Sequence, residues 1–472
     1  MVLATMTPTL SALGSKLDDW GIIAEHRFRP TVSLAWPRVV TGLARTSKPT
    51  ADAAMVGLVL GPQAIAGLAF GYAYWRIGNV LSIGLSGGTL TLTSQSSGAE
   101  DSKRTDQVLL LSLLVGTLFS LPLAFLFYTV PELLIGVFGA EQTTIGYGTV
   151  YLQVLAPAII FEFFNKVISR SFAGVADTFT PMVIRSGGAV LNIGLNAIFV
   201  FIFGLGVVGV ALGTVISTIA VTLVFAVGLL RRRFPVTGSI PLGLRRTSPF
   251  VEKGMTKQLL TISAPLIVRR GLISLVAFPL LMIAAVFGPI TVAAFEIARR
   301  VRHLANSANW GFSTVASTYV GQNVGAADML EAEGYAVDIV RLSLLVHVVM
   351  GGLIFIFAEP IARAFVSDPE TLGLATVFVR VAAISLLGKS LDATLTGALR
   401  GAGDTNWPFY GTLFGLYACT VPIAFLGTVT VLGIWALYLA LIVETLVPAI
   451  INWYRFRTGR WKSIGVSMKN PA

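Results

Sequence analysis

Charge is scarce in this sequence: Asp, Glu, Lys and Arg make up 12% of its 472 residues, against 55% hydrophobic. A soluble chain of this length carries about twice that share of charge, so an ordinary water-facing surface is excluded. Cysteine occurs once, as Cys419 in an apolar stretch, which excludes an intramolecular disulfide. Histidine occurs only three times. No HExxH, CxxC, P-loop or dinucleotide fingerprint is present. No loop gathers the acid or metal cluster that a lipid-modifying enzyme needs, so neither an enzyme nor a cofactor is expected. The first 30 residues lack a basic start, an apolar region and a small-residue cleavage site, and no signal peptide is expected.

What the chain has instead is length in its apolar runs. Stretches of 20 or more such residues recur from about residue 34 to 454, and mean hydropathy is +0.80. Each is long enough to cross a hydrocarbon core of about 30 Å. Backbone groups find no water there, so runs of this length are helices. The short alternating segments of a β-barrel are missing. The expected fold is all-α, a polytopic membrane protein with about twelve transmembrane helices.

The helices come in two sets. Gly61-Pro62 recurs as Gly288-Pro289, an offset of 227. Gln95, Gly98, Ala99 and Asp101 recur at the same offset as Gln322, Gly325, Ala326 and Asp328. Asp177, Thr178 and Pro181 recur as Asp404, Thr405 and Pro408. A constant offset over more than 100 residues means equal loop lengths in both halves. Six spans per half return the chain to its starting side. Two six-helix bundles related by a pseudo-two-fold axis along the membrane normal are therefore expected, an arrangement found in transporters. The organisation reads as a cytoplasmic segment 1–33, an N-lobe 34–230, a basic linker 231–256, a C-lobe 257–456 and a tail 457–472. Gly57/Gly61, Gly67/Gly71, Gly84/Gly88 and Gly209/Gly213 fit small-xxx-small helix packing.

Lys and Arg exceed Asp and Glu by 11, and their placement orients the chain. Arg231, Arg232, Arg233, Arg245, Arg246, Lys253 and Lys257 fill the linker region, and Arg455, Arg457, Arg460, Lys462 and Lys469 the tail. Loops on the other side are short and nearly free of such residues, apart from Arg363. The positive-inside rule places the linker and both termini in the cytoplasm, in the cell membrane. The basic residues flank spans rather than line a soluble face, so no nucleic-acid partner is expected.

The turn Ser94-Gln95-Ser96-Ser97-Gly98-Ala99 is matched by Gly321-Gln322-Asn323-Val324-Gly325-Ala326. The turn from Ala173-Gly174 through Asp177-Thr178 to Pro181 is matched by Arg400-Gly401-Ala402-Gly403-Asp404-Thr405 through Pro408. These duplicated "GQNxGA" and "RGxGDTxxP" patterns resemble the MATE (multidrug and toxic compound extrusion) transporters of the multidrug/oligosaccharidyl-lipid/polysaccharide flippase superfamily. Asp177 and Asp404, each before a helix that carries Pro near its start, read as helix caps.

Asp52, Asn192, Asn196 and Thr214 are the candidate coupling residues. Asp52 is an acid inside the first span, and intramembrane charge is functional by default. Asn192 and Asn196 lie one helical turn apart on the fifth span, and Thr214 lies on the sixth. Counted from the outer helix ends at about 1.5 Å per residue, Asp52, Asn196 and Thr214 share a depth of roughly 12–14 Å. Their counterparts in the second half are Pro279, Cys419, Ile423 and Leu441, so the polar set belongs to the N-terminal half. The resemblance implies the same group, since a MATE branch carries an acid, an Asn-xxx-Asp pair and a threonine on these helices. Asn196 departs by standing where the second acid stands. Pro37 matches a first-helix proline at which the family is proposed to bend. Lys48, one turn before Asp52, offers a rival ion pair, with Arg45 below it. Lys389 and Asp392 sit in the tenth span opposite Glu162 and Asn165, without a role carried over from the family.

The expected function is a secondary antiporter that exports amphipathic organic compounds, often cationic, in exchange for Na+ or H+ by alternating access. The partners are small organic substrates and the lipid bilayer, with the protein as a monomer. A flippase for a lipid-linked glycan precursor is the alternative. It would need several Arg or Lys for a pyrophosphate, and Arg45 with Lys48 is the pair that suggests it.

The orientation has a direct check. A cysteine placed at Arg245, in a chain whose Cys419 is replaced by serine, should react with an impermeant maleimide only after the cells are opened. Labelling in intact cells would reverse the assignment.

Overall fold

The computed structural model describes residues 7–234, 238–244, 252–366 and 368–469, except the side chains of 7–10, 45–47 and 467–469. The Arg45 side chain and linker residues Arg245 and Arg246 lie outside the described residues. Helix dominates, and among the described residues the one sheet is a two-residue pairing of Arg233–Phe234 with Gly238–Ser239. Among the described residues eight helices are long and apolar enough to cross a membrane, nine when Gln142–Leu155 and Ala158–Gly174 count as one bent span. Three more are as long: Glu25–Leu60, Pro62–Gly98 and Pro289–Gly325. Their sequences explain why apolarity alone misses them. The first and third carry clusters of Arg and Lys or Arg and Glu, and the second is rich in Gly, Ser and Thr.

Taken in order, the spans are Glu25–Leu60, Pro62–Gly98, Ser102–Thr129, the bent pair, Phe179–Ile202 and Gly206–Arg231, then Lys253–Val286, Pro289–Gly325, Met329–Ile356, Pro369–Gly401, Asn406–Val429 and Trp435–Arg457. The fourth turns by 54° at Ala156-Pro157, where proline removes a helical hydrogen bond. The first runs unbroken as helix through Pro37.

The repeat seen in the sequence extends to backbone geometry. Gly61 and Gly288 take φ of +80° and +95° before the prolines that open the second and eighth spans. Glycine reaches that region without a Cβ clash. Glu100 and Ala327 take left-handed φ at matched helix ends, as do Ala176 and Gly403. There the amides of Asp101, Asp328, Asp177 and Asp404 reach back to carbonyls five residues earlier, the C-terminal closure that a left-handed residue permits. Asp101 and Asp328 then cap the following helices, accepting from the amides of Arg104 and Glu331.

Contacts divide the chain into two compact units, Val40–Ile267 and a second that joins Met1–Val39 to Val268–Ala472. Their edges fall inside the first and seventh spans. In the Val40–Ile267 unit, the second span packs on the fourth where a Cβ on Gly67 would lie 2.8 Å from the Gly148 amide nitrogen. The chain after the sixth span folds back on this unit. Arg232 pairs with Asp106 of the third span, and Phe234 is buried against Phe172, which in turn packs on Phe225. The other unit repeats this at its own end. Lys462 pairs with Glu333 of the ninth span, and Trp461, 227 residues after Phe234, is buried and stacked on Phe456.

Two apolar clusters fill the second unit. One gathers Ile283, Phe295, Phe378, Leu437 and their neighbours, the other Phe28, Phe312, Leu399, Trp461 and theirs. Between them along the eighth, tenth and twelfth helices lie Arg302, Lys389, Asp392, Glu444 and Asn452. A polar belt thus crosses the unit at mid-height.

The aromatic plugs should be structural. Phe234→Ala and Trp461→Ala should each cost about 3–5 kcal/mol, read as a lower unfolding midpoint of the detergent-solubilised protein. Unchanged midpoints would show that neither return segment holds its unit together.

Candidate functional site

Three helices of the Val40–Ile267 unit bring the four candidate residues together. Asp52 is buried, as are Asn192, Asn196 and Thr214. Asn196 Nδ2 donates to Asp52 Oδ1 at 2.6 Å, and Asn192 Nδ2 donates to Thr214 Oγ1 at 3.1 Å. A carboxylate can only accept, which fixes the Asn196 amide, whereas the Thr214 hydroxyl can donate or accept and fits the Asn192 amide either way round. As they stand, Asn192 Oδ1 and Asn196 Oδ1 are buried with no hydrogen-bond donor. A buried carbonyl without a partner costs about 1–3 kcal/mol. The Asp52 carboxylate, the Thr214 hydroxyl and these two carbonyls are oxygens of the kind that a hard cation takes. Among the described residues no group of three His, Cys, Asp or Glu could hold a metal, so the carboxylate, amide and hydroxyl oxygens are the ligands on offer.

Gly213 makes the approach possible. A Cβ there would sit 1.9 Å from Asn196 Oδ1. Its small-xxx-small spacing with Gly209 marked a packing position, and what packs against it is the amide oxygen itself. Tyr151, buried on the fourth span, lies within electrostatic reach of Asp52. Sequence reading missed it, because one tyrosine in an apolar helix looks like core.

Lys48 does not form the rival ion pair. It stands in electrostatic reach of Asp52 and Glu162, yet pairs with neither. Glu162 is instead paired with Lys166 at 3.2 Å and Arg185 at 3.5 Å. Lys166 also donates to Asn79 and Ser82. Asn165 donates to the Thr218 carbonyl and accepts from Thr222, and Thr218 donates to the Thr214 carbonyl. The four candidate residues thus sit at one end of a hydrogen-bonded chain that Arg185, donating to the Asn165 carbonyl, links to the Glu162 cluster.

The second unit repeats the cluster with charges exchanged. Asp392, at the register of Asn165, receives Arg269 through two bonds of 3.0 and 3.1 Å and Lys389 at 3.2 Å. Asn452 and Thr396 complete its shell. Each unit therefore clamps one carboxylate of its fourth or tenth span between two cations. Asp392, so paired, has no room for an exchangeable ion. Asp177 accepts from the Thr180 amide at 2.9 Å, as a cap should. Asp404 corrects the expectation: it is taken by Arg455 Nε at 2.6 Å, whose guanidinium lies over Trp407. The counterpart of Arg455 is Gly228, which leaves Asp177 free to cap.

Comparison with known proteins agrees with this architecture. The MatE family model matches residues 37–198 and 265–426, two stretches of equal length that cover well over half of the chain. A Bacillus subtilis protein named probable multidrug resistance protein YoeA is 25% identical over 85% of this chain and 88% of its own. The multidrug export protein MepA of Staphylococcus saprophyticus is 25% identical over 70% of each. Among solved structures, a MATE transporter in its bent conformation superposes with a TM-score of 0.85 at 22% identity, covering 93% of this chain and 97% of that one. A MOP superfamily transporter from Pyrococcus furiosus, described as having a binding pocket of reverse polarity, superposes at 0.82 and 22% identity, over 92% and 96%. With two matched copies of the family unit in a polytopic helical chain, the protein belongs to the MatE family of membrane transporters and is not an enzyme.

Proposed function

We propose that this chain is a cation-coupled exporter of amphipathic organic compounds, with Asp52 as the coupling residue and Na+ as the ion that the cluster fits. One observation carries the reading: the Asp52 carboxylate is buried in its span with the Asn196 amide as its donor and, among the described residues, no ion pair, while the carbonyl oxygen of that same amide has no donor. A carboxylate in a span costs several kcal/mol unless a cation, a proton or a fixed positive partner matches it. Lys48 lies in electrostatic reach of Asp52 without forming an ion pair with it. An amide at Asn196 supplies an oxygen without adding charge, which suits a monovalent cation better than a pair of titrating acids.

Residues 34–230 and 257–456 then act as the two lobes of an alternating-access machine, joined by 231–256, with both termini cytoplasmic and the chain monomeric. Ion binding couples to export only if the ion prefers one lobe conformation and the substrate the other. The names of the relatives, multidrug export and multidrug resistance proteins, support organic compounds as cargo. Transport of a lipid-linked glycan precursor is a second reading, favoured by the cations of the polar belt and by the reversed pocket polarity described for the Pyrococcus furiosus protein.

Proteoliposomes with Na+ and pH gradients imposed separately test the proposal. A Na+ gradient should drive substrate counter-transport in the wild type. Asp52→Asn should fold and express normally while its gradient-driven transport falls to background. Lys48→Ala should unfold at nearly the wild-type temperature. Normal transport by Asp52→Asn, with stability lost in Lys48→Ala, would make Asp52 a structural partner. Transport driven by the pH gradient alone would replace Na+ with H+.

A further inference from the structure

The polar belt of the second unit holds more positive than negative charge. Arg302 Nη2 pairs with Glu444 at 2.7 Å, and Arg269 and Lys389 share Asp392. Three cations thus meet two carboxylates. Arg299 pairs with Glu296 at 3.4 Å and leaves the balance unchanged. Arg400, which donates to Ser317 Oγ and the Ser313 carbonyl, lies within electrostatic reach of three more guanidiniums, Arg38, Arg269 and Arg270. All of these belong to the same unit.

Surplus charge between two apolar clusters costs energy, just as a lone carboxylate does. Arginine is retained in such places where planar anions are recognised. The donors also remain partly unused. Arg302 Nη1 is buried without an acceptor. Lys389 has three donors and spends one, on Asp392. Glu444 bonds Arg302 and stands in electrostatic reach of Lys389, so the two open donors flank one carboxylate. An anion that displaced or joined Glu444 would find both.

We propose that the exported compound carries an anionic group, a phosphate, pyrophosphate or carboxylate, on an apolar body, and that Arg302 and Lys389 are the cations that read it. This rests on the export reading and narrows it, replacing the cationic cargo expected from sequence. Arg269 is committed to Asp392 and Thr412 and serves to hold the belt in place. An apolar body suits the remaining surface of a protein with so little charge, and the anionic head supplies what the belt lacks.

The experiment uses the full chain purified in a neutral maltoside detergent, with dodecyl phosphate, dodecyltrimethylammonium and inorganic pyrophosphate as probes. Binding is read by intrinsic tryptophan fluorescence and by the shift in unfolding temperature. Dodecyl phosphate should bind, pyrophosphate should displace it, and dodecyltrimethylammonium should bind at least about tenfold more weakly. Lys389→Gln should weaken dodecyl phosphate by about tenfold or more, and Lys389→Arg should retain it. Arg302→Gln alone would strand Glu444, so Arg302 is tested with Glu444→Gln in the same chain, and this variant should also lose about tenfold. Equal or tighter binding of the ammonium probe overturns the proposal, as does unchanged dodecyl phosphate affinity in both variants. Pyrophosphate binding as tightly as dodecyl phosphate would refute the apolar body. No ion gradient enters these measurements. Their failure leaves coupling at Asp52 standing, and a failure of gradient-driven export leaves the anion site standing.

Discussion

A charge placed among apolar helices must be matched, and the carboxylates of this protein are matched in two different ways. Asp392 has Arg269, Lys389, Asn452 and Thr396 around it. Asp52 accepts from one amide, that of Asn196, whose own carbonyl oxygen no donor satisfies. Removing one member of a closed cluster such as the first strands a buried charge, at about 3–5 kcal/mol. A cluster such as the second is left incomplete by the protein's own groups. Filling it with an ion makes its energy depend on the ion, which is the requirement for a coupling site.

The repeat gives both units one frame and then lets them diverge. Helix breaks at Gly61 and Gly288, left-handed helix ends, and aspartate caps at Asp101 and Asp328 follow the same offset. So do the aromatic plugs Phe234 and Trp461. Divergence is concentrated in the polar interior. At the 227 offset Glu162 corresponds to Lys389, with the charge reversed, and Asn165 to Asp392, where a carboxylate stands for an amide. Asn192, Asn196 and Thr214 have apolar or thiol counterparts. A duplicated scaffold of this kind can give one half to an ion and the other to a cargo without altering its helix packing.

Much of this was legible in the sequence because it depends on spacing. Equal loop lengths fix an offset, and rise per residue fixes depth, so Asp52, Asn196 and Thr214 could be grouped before any contact was known. What escaped depends on partners far along the chain. Asp177 and Asp404 occupy the same Asp-Thr-x-x-Pro string, yet Arg455, 51 residues on, claims only the second. Arg185 reaches Glu162 from the fifth helix to the fourth, and neither residue announces the other. Among the described residues eight or nine spans are apolar enough to be recognised by hydropathy alone, because the helices that carry Gly, Ser, Thr and buried Arg do not look lipid-facing. Those polar helices are the ones that supply Asp52 and Arg302.

The claim at the centre is that the Asp52 cluster binds the coupling ion, and equilibrium binding tests it without transport. Purified wild-type protein should take up radioactive sodium at a single saturable site. Asp52→Asn should show none, and Gly213→Val, which pushes a side chain against Asn196 Oδ1, should bind far more weakly. Saturable binding of equal affinity in Asp52→Asn would contradict the account.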